Sequence, residues 1–493
     1  MLQLYYLLNF MLKNPDNDIF TIGVGGAAGE GPKKLGGSIG RLLHDMGLSV
    51  YSSSNYPSLI RGGHNFLRLS ASKEKVWNDH SKMDVLVALN EETVELHKNE
   101  MNENAMVLSG LSAPEVMEKI KIIIKEKNIA DSAENPVVPK GEMVDGNTAF
   151  ARGILMAGLD FYISYPMTPS TSILHYLASK QTKDGLKVIQ PENEISVINM
   201  ALGAVYAGKR AAVGTATGGF ALMQEAFSFS GMAELPLVAA VSQRQAPATG
   251  VPTHSSQSDL RFVIHAGHGE FPRIVMAPGD PEESFLAGAE ALNLAWKFQT
   301  PVIVLLDKIL SEHMMTSDIE RLKIERFENQ NIIFPGTEGQ TVKVTSYEHD
   351  EKGITTDKPE DIKRMVEKRF EKAESIKSEM QSRETVKIYG DSSSENVVVF
   401  FGSTKSPVLE AAKYFDKPVK LVQIVWLEPF DSEKVLKELG GKKVVCVEGN
   451  RGGQLASLIR EKTGIEITEK ILKYDSMPFD PVELADQINK KIL

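Results

Sequence analysis

The chain has 493 residues, of which 42% are hydrophobic and 24% charged, with a formal net charge of -10. Its length predicts roughly three domains, and its composition suits a chain that buries real cores. The acidic balance argues against a nucleic-acid surface, and no run approaches the ~18 apolar residues of a membrane helix. The single cysteine, Cys446, excludes a disulfide framework. It also excludes an iron–sulfur cluster of the usual kind, which takes about four thiolates. In the run KVVCVE this residue reads as part of a buried strand.

Residues 1–17 open with an apolar stretch that lacks a basic flank and a small-residue cleavage site. They read as an N-terminal extension, with Met11 as an alternative start, of a cytoplasmic protein. A first α/β domain is expected over 18–133. Its strand at 18–24 runs into Gly25-Gly26-Ala27-Ala28-Gly29-Glu30-Gly31. The turn loosely fits a dinucleotide fingerprint, but the acid expected ~20 residues on is missing after Tyr51. Close packing of a helix on the sheet is the preferred reading. Ile60-Arg61-Gly62-Gly63-His64-Asn65 is a glycine-bent loop whose Arg61 or His64 suits an anion or a partner domain. A linker follows at 134–141.

The segment 142–324 carries most of the functional signal. Phe161–Tyr165 runs into Pro166-Met167-Thr168-Pro169, Leu186–Gln190 into Pro191-Glu192-Asn193-Glu194, Arg210–Gly214 into Thr215-Ala216-Thr217-Gly218-Gly219, and Leu235–Val241 into Ser242-Gln243-Arg244. Strand, loop and helix in strict alternation predicts a parallel sheet covered by helices, with ligands outside the carboxyl ends of its strands. Thr168 is placed to cap a helix over 170–180. Glu192 and Glu194 both suit the positive end of the next helix. Thr215–Gly219 presents free N–H groups at a helix start. Arg244 closes an apolar strand, so it needs either an internal acid or a carboxylate ligand.

Residues 325–395 read as a polar linker with a charged helix over 361–382. The loop Tyr347–Gly353 is ordinary solvated surface rather than a metal site. A third α/β domain, 396–493, has strands at 397–401, 419–424 and 444–447 with turns at Gly402-Ser403-Thr404 and Glu448–Gln454, and no convincing catalytic group.

Jointly, Tyr165-Pro166-Met167-Thr168-Pro169-Ser170, Glu192-Asn193-Glu194, Thr215–Gly219, Arg244 in SQRQAPATG, Gly267–Arg273, Tyr347–Gly353 and Glu448–Gln454 resemble the alpha subunits of 2-oxoacid:ferredoxin oxidoreductases. Gly25–Gly31 and Ile60–Asn65 match the gamma domain fused in front of such subunits, so the resemblance spans nearly the whole chain. It implies a gamma-type α/β domain, a pyrimidine-type thiamine-diphosphate-binding domain and a transketolase C-terminal-like domain. It implies oxidative decarboxylation of a 2-oxoacid to an acyl-CoA, with electrons passed to ferredoxin.

By the same resemblance Glu194 contacts the aminopyrimidine N1′ and acts in catalysis with Thr168. Arg244, Thr168 and Tyr165 face the substrate, and Pro166, Thr215, Thr217 and Gly218 line the cofactor. The beta subunit is implied to hold Mg2+, the diphosphate and the [4Fe-4S] cluster, in a dimer of alpha–beta units. Met167, where Ile is usual, and Ala216-Thr217-Gly218-Gly219, where the family commonly has Ser-Gly-Pro-Gly, bear on pocket shape. His254-Ser255-Ser256-Gln257 also departs from the family's usual Thr-Glu-Gln ending. The gamma-first order and the GHGEFPR region look most like the 2-oxoglutarate branch. Pyruvate or branched-chain specificity is the rival, and a non-catalytic assembly subunit is the alternative of another class.

Overall fold

The computed structural model describes residues 19–57, 63–130, 140–328 and 332–492. The N-terminal extension, Arg61 and most of the expected linker lie outside the described residues.

The first segment supplies β1 (Phe20–Ala27), β2 (Ser49–Asn55), β3 (His64–Ser72), β4 (Met83–Ala88) and β5 (Met101–Ser109). The middle segment supplies β6 (Glu142–Asp145), β7 (Phe161–Ile163), β8 (Lys187–Ile189), β9 (Ala211–Ala216), β10 (Val238–Gln243), β11 (Ile274–Met276), β12 (Val302–Asp307) and β13 (Met314–Ser317). The last adds β14 (Val386–Gly390), β15 (Asn396–Phe401), β16 (Lys420–Ile424), β17 (Trp426–Glu428), β18 (Lys443–Glu448) and β19 (Glu469–Leu472).

These strands form three sheets, ordered β5-β4-β1-β3-β2-β13-β6, β17-β11-β12-β10-β9-β7-β8 and β14-β16-β15-β18-β19. The α/β architecture is as expected. The second sheet is parallel from β8 to β11. Its central strands β9, β10 and β12 are buried throughout, as a sheet with helices on both faces requires. Alternate residues of one strand enter opposite cores: Ala211 and Val213 face one, Ala212 the other. The first of these cores continues into the third sheet through Val397, Val399, Val422 and Cys446.

The sheets do not respect the segment limits. β13 and β6 extend the first sheet through pairing with β2, and β17 joins the second by pairing with β11. Buried polar contacts tie the last segment to both of the others. Lys405 of the last segment reaches Asp280 at 2.5 Å and Glu283 at 2.6 Å. Glu410 accepts from Trp77 N at 2.7 Å and meets His80 Nε2 at 3.2 Å.

The glycine turn after β1 holds one of its own side chains. Glu30 Oε2 accepts from Ala27 N at 2.6 Å and from Asn90 Nδ2 at 2.8 Å. β3 lies antiparallel beside β1. A carboxylate on that backbone N–H leaves no welcome for a pyrophosphate, in keeping with a packing turn.

Glycine also governs how two helices of the middle segment meet. A methyl on Gly153, in the helix Gly146–Met156, would run into the Phe285 carbonyl of the helix Pro281–Phe298; one on Gly288 would lie 2.5 Å from the Phe150 carbonyl. The two backbones therefore touch at reciprocal glycines, and the Ala/Gly-rich composition of 147–158 is a packing requirement. Gly153→Ala should cost about 1–3 kcal/mol by forcing these helices apart. The check is a lowered urea midpoint at unchanged slope; a wild-type midpoint would refute the close contact.

Candidate active site

The second sheet fixes where the chemistry collects. From β7 the chain passes outward to β8, then crosses back to β9 on the other side of β7. The loops after β7 and β9 therefore diverge, and the crevice at their carboxyl ends is the switch point where such sheets bind ligands. The segment 166–170 leaves β7 here, 215–219 leaves β9, Glu194 opens the helix after β8, and Arg244 follows β10.

Glu194 is 4% exposed. Asn193 caps its helix, the side chain accepting from Ser196 N at 2.9 Å, so the glutamate is not needed as a cap. Its Oε1 has no hydrogen-bond partner among the described residues. A buried carboxylate oxygen left in that state is costly unless a ligand completes it. Glu192 has a different fate: it is exposed, and its Oε1 accepts from Ser196 Oγ at 2.7 Å. Two glutamates that look alike in the sequence are thus separated by burial.

Gly219 makes room for the carboxylate. A methyl there would collide with Thr215 Oγ1 and lie 2.7 Å from Glu194 Oε1. Gly218 is exposed, with only Ala248 O at 3.6 Å from where a methyl would stand. Gly219, absent from the expected site residues, is thus the glycine with a steric duty toward Glu194. Thr215 is fully buried at the end of β9. Thr217 opens a six-residue helix, and its Oγ1 is buried without a partner. Asp259 Oδ2 is orphaned in the same way. Burial pushes the Asp259 carboxyl up, and the nearby Thr217 hydroxyl opposes the rise without reaching hydrogen-bond alignment. Neither Asp259 nor Gly219 carries a motif signature beyond its neighbours; only the fold brings them in.

Arg244 is 8% exposed. Its Nη1 donates to the Thr168 carbonyl at 2.6 Å, and among the described residues no carboxylate reaches it. Burial alone pulls its pKa below the ordinary value. Of the two partners expected for this arginine, the internal acid is missing among the described residues.

Thr168 does not cap a helix. The helix begins at Thr171 after Ser170, whose N and Oγ both bond the Met167 carbonyl at 2.9 Å. Asn147 Nδ2 holds the loop from behind, donating to Pro169 O and Ser172 Oγ at 2.8 Å each. Thr168 is thereby freed from a capping role, with its carbonyl engaged by Arg244. Pro166 is half-buried and Tyr165 is 37% exposed at the rim.

The remaining motifs lie apart. Gly267–Arg273 precedes β11, at the opposite end of the sheet from the switch point, where Gly267 N donates to Gln224 Oε1 at 2.6 Å. In the 347–353 loop, Glu348 pairs with Arg369 at 2.6 Å and Glu351 with Arg364 at 2.5 Å, while Asp350 Oδ1 accepts from Lys352 N and Ile354 N at 2.9 Å. His64 Nε2 lies 2.9 Å from His97 Nε2, a pair held by Glu100.

Residues 152–368 match the family described as pyruvate flavodoxin/ferredoxin oxidoreductase, thiamine diP-bdg, and 21–151 match pyruvate ferredoxin/flavodoxin oxidoreductase. The 2-oxoacid:ferredoxin oxidoreductase subunit alpha of Saccharolobus solfataricus is 30% identical over 94% of this chain and 96% of its own. The 2-oxoglutarate synthase subunit KorA of Methanocaldococcus jannaschii is 33% identical over 64% of this chain and 89% of its own. A solved 2-oxoglutarate:ferredoxin oxidoreductase from Magnetococcus marinus, with 2-oxoglutarate, coenzyme A and succinyl-CoA bound, superposes with a TM-score of 0.86 at 27% identity, covering 97% of this chain and 100% of that one. The crevice at the β7/β9 switch point thus lies in a thiamine-diphosphate-binding domain, and the chain belongs to the 2-oxoacid:ferredoxin oxidoreductases, an oxidoreductase family, as an alpha subunit.

Proposed function

We propose that the chain, joined to a beta subunit in the cytoplasm, catalyses the thiamine-diphosphate-dependent oxidative decarboxylation of 2-oxoglutarate. The products are succinyl-CoA and CO2, and the two electrons released pass through a [4Fe-4S] cluster in the beta subunit to ferredoxin. Bound thiamine diphosphate supplies the nucleophile that adds to the 2-oxo carbon and the electron sink that lets CO2 depart. The single observation that carries this reading is that one switch point holds Glu194 Oε1, buried without a hydrogen-bond partner, and the Arg244 guanidinium, buried without a carboxylate partner among the described residues.

The residues present fit the cofactor's aminopyrimidine. Glu194 Oε1 is an orphan that a ring-nitrogen N–H would satisfy, in a cradle that a Cβ at Gly219 would fill. Thr215, Thr217, Gly218 and Pro166 border the same crevice. Glu194 holds a proton with N1′, which is the group's catalytic task. Arg244 holds the substrate carboxylate through charge-assisted bonds, and its bond to the Thr168 carbonyl orients the fork. Thr168 and Tyr165 complete the substrate side. In this reading the diphosphate and Mg2+ are held by the beta subunit, as the family resemblance implies.

The mouth of the crevice supports such a partner. Tyr165, Ile195, Leu222 and Val251, in the segments that follow β7, β8, β9 and β10, are exposed large apolar residues. We place the beta subunit of a dimer of alpha–beta units on these exposed apolar residues. The 2-oxoglutarate assignment draws on the KorA relatives and on the substrate of the solved neighbour.

Three outcomes test the reading. Glu194→Gln should lower turnover by about 100-fold or more while thermal unfolding stays as in the wild type; near-normal activity in the assembled complex would refute its role. Arg244→Ala should raise the KM for the 2-oxoacid by about 10- to 100-fold and leave that for CoA alone, so an unchanged KM would remove the clamp. The third is viologen-dye reduction by the chain co-expressed with its beta subunit, given thiamine diphosphate, CoA and a panel of 2-oxoacids. Preference for 2-oxoglutarate is expected, preference for pyruvate or a branched-chain acid would change the substrate, and no reduction by a cluster-loaded complex would make the chain an assembly subunit.

A further inference from the structure

Two strand-end turns of the third domain converge on one buried amide of the middle domain. Gln257 is 2% exposed. Its Oε1 accepts from Thr404 Oγ1 at 2.7 Å and from Gly449 N at 2.9 Å. Its Nε2 donates to Phe401 O at 3.1 Å and to Asp307 Oδ2 at 3.3 Å. All four hydrogen-bonding valences of the side chain are used, which is the full capacity of an amide. The backbone is held as well: Gln257 N donates to Gly449 O at 2.7 Å, and Asn450 Nδ2 donates to Gln257 O at 3.2 Å.

Glycines shape the clamp. A methyl on Gly402 would stand 3.0 Å from Gln257 Nε2, and one on Gly449 would stand 3.2 Å from Gln257 Oε1. Gly402 also sits at φ +57, a conformation that favours glycine. Beneath the clamp, the fully buried Glu448 fixes Asn450 at 2.8 Å and accepts from Leu455 N and Ala456 N at 2.7 and 3.0 Å. The grip extends along the chain, since Gln454 bonds both Ser258 O and Arg261 N.

What is gripped is the far leg of the loop that begins at Arg244. Gln245 N donates to His254 O at 3.1 Å and Val251 N to Gln245 O at 3.0 Å, closing the loop on itself. Asp259 N donates to Gln243 Oε1 at 3.0 Å, so the residue before Arg244 and the residue two beyond Gln257 are tied together. One leg of the loop is therefore set by β10 and the other by the third domain.

We propose that Gln257 is a positioning residue: the third domain, through Thr404 and Gly449, fixes the path of the 244–257 loop and thereby the placement of the Arg244 guanidinium at the 2-oxoacid carboxylate. This rests on the carboxylate reading of Arg244. It gives the Gly402–Thr404 and Glu448–Gln454 turns a task at a site they do not touch.

The test uses the assembled alpha–beta complex loaded with thiamine diphosphate, carrying Thr404→Val, Thr404→Ser or Arg244→Ala. Thr404→Val keeps the shape and removes one donor to Gln257. It should raise the KM for the 2-oxoacid by about three- to tenfold, as expected for loss of one buried hydrogen bond, with the KM for CoA and the bound thiamine diphosphate unchanged. Thr404→Ser, which keeps the hydroxyl, should restore the wild-type KM. Amide hydrogen exchange over 245–257 should quicken in Thr404→Val and return to normal in Thr404→Ser. A normal KM and normal exchange in Thr404→Val, beside a raised KM in Arg244→Ala, would overturn the clamp alone. An unchanged KM in Arg244→Ala would overturn the carboxylate reading and the positioning role with it. Should Thr404→Val fail to assemble, Gln257→Asn, which shortens the amide while keeping its groups, takes its place with the same readouts.

Discussion

A guanidinium and a carboxylate lie buried near one switch point without neutralising each other, and much of the structure answers to that constraint. Arg244 and Glu194 would gain from meeting, as would any buried pair of opposite sign. The frame keeps them apart. Arg244 is directed to the Thr168 carbonyl, on a loop held from behind by Asn147. Glu194 is seated against Thr215 and Gly219, on a helix whose capping Asn193 has already satisfied. Burying either group unmatched costs several kcal/mol, and the binding of an anion and of a hydrogen-bonding heterocycle would return that cost. On the proposed reading, the site is preorganised by withholding partners.

Such withholding needs a rigid surround, and the three sheets provide it by exchanging elements. β6 and β13 leave the middle segment to finish the first sheet, and β17 leaves the last segment to finish the second. The cores of the second and third sheets are continuous. Lys405, buried with Asp280 and Glu283, pins the last segment to the middle one, and Glu410, buried with His80, pins it to the first. Removing one member of such a group strands the others in low dielectric. The middle segment therefore cannot shift against its neighbours without breaking pairing or uncovering charge.

The parallel sheet was legible because its strands are apolar runs ending in glycine, proline or polar turns, and β9, β10 and β12 are buried as those runs imply. β6 (EMVD) and β13 (MMTS) were not legible. They have four residues each, and what makes them strands is a partner more than 150 positions away, a tertiary effect that overrides local propensity. Thr168 failed as a cap for a related reason: Ser170 with the Met167 carbonyl closes the turn first. Glu192 and Glu194 have the same local grammar, and only burial assigns them different work. Gly219 and Gln257 carry no local signal, since their importance lies in what would collide or detach at long range.

The apolar residues at the mouth of the crevice complete the logic of an incomplete site. An aqueous crevice would screen Arg244, whose contact with a carboxylate would lose the strength that low dielectric gives it. Tyr165, Ile195, Leu222 and Val251 face solvent in this chain alone, a poor arrangement for a subunit meant to stand by itself. A beta subunit seated on them would remove their apolar surface from water and dry the crevice in one step. If so, the same contact drives assembly and strengthens the electrostatics, and Leu222→Asp should weaken both. Less beta subunit should co-purify with the chain, and the 2-oxoacid KM of the complex that does form should rise by up to about tenfold. Full co-purification with an unaltered KM would place the partner elsewhere.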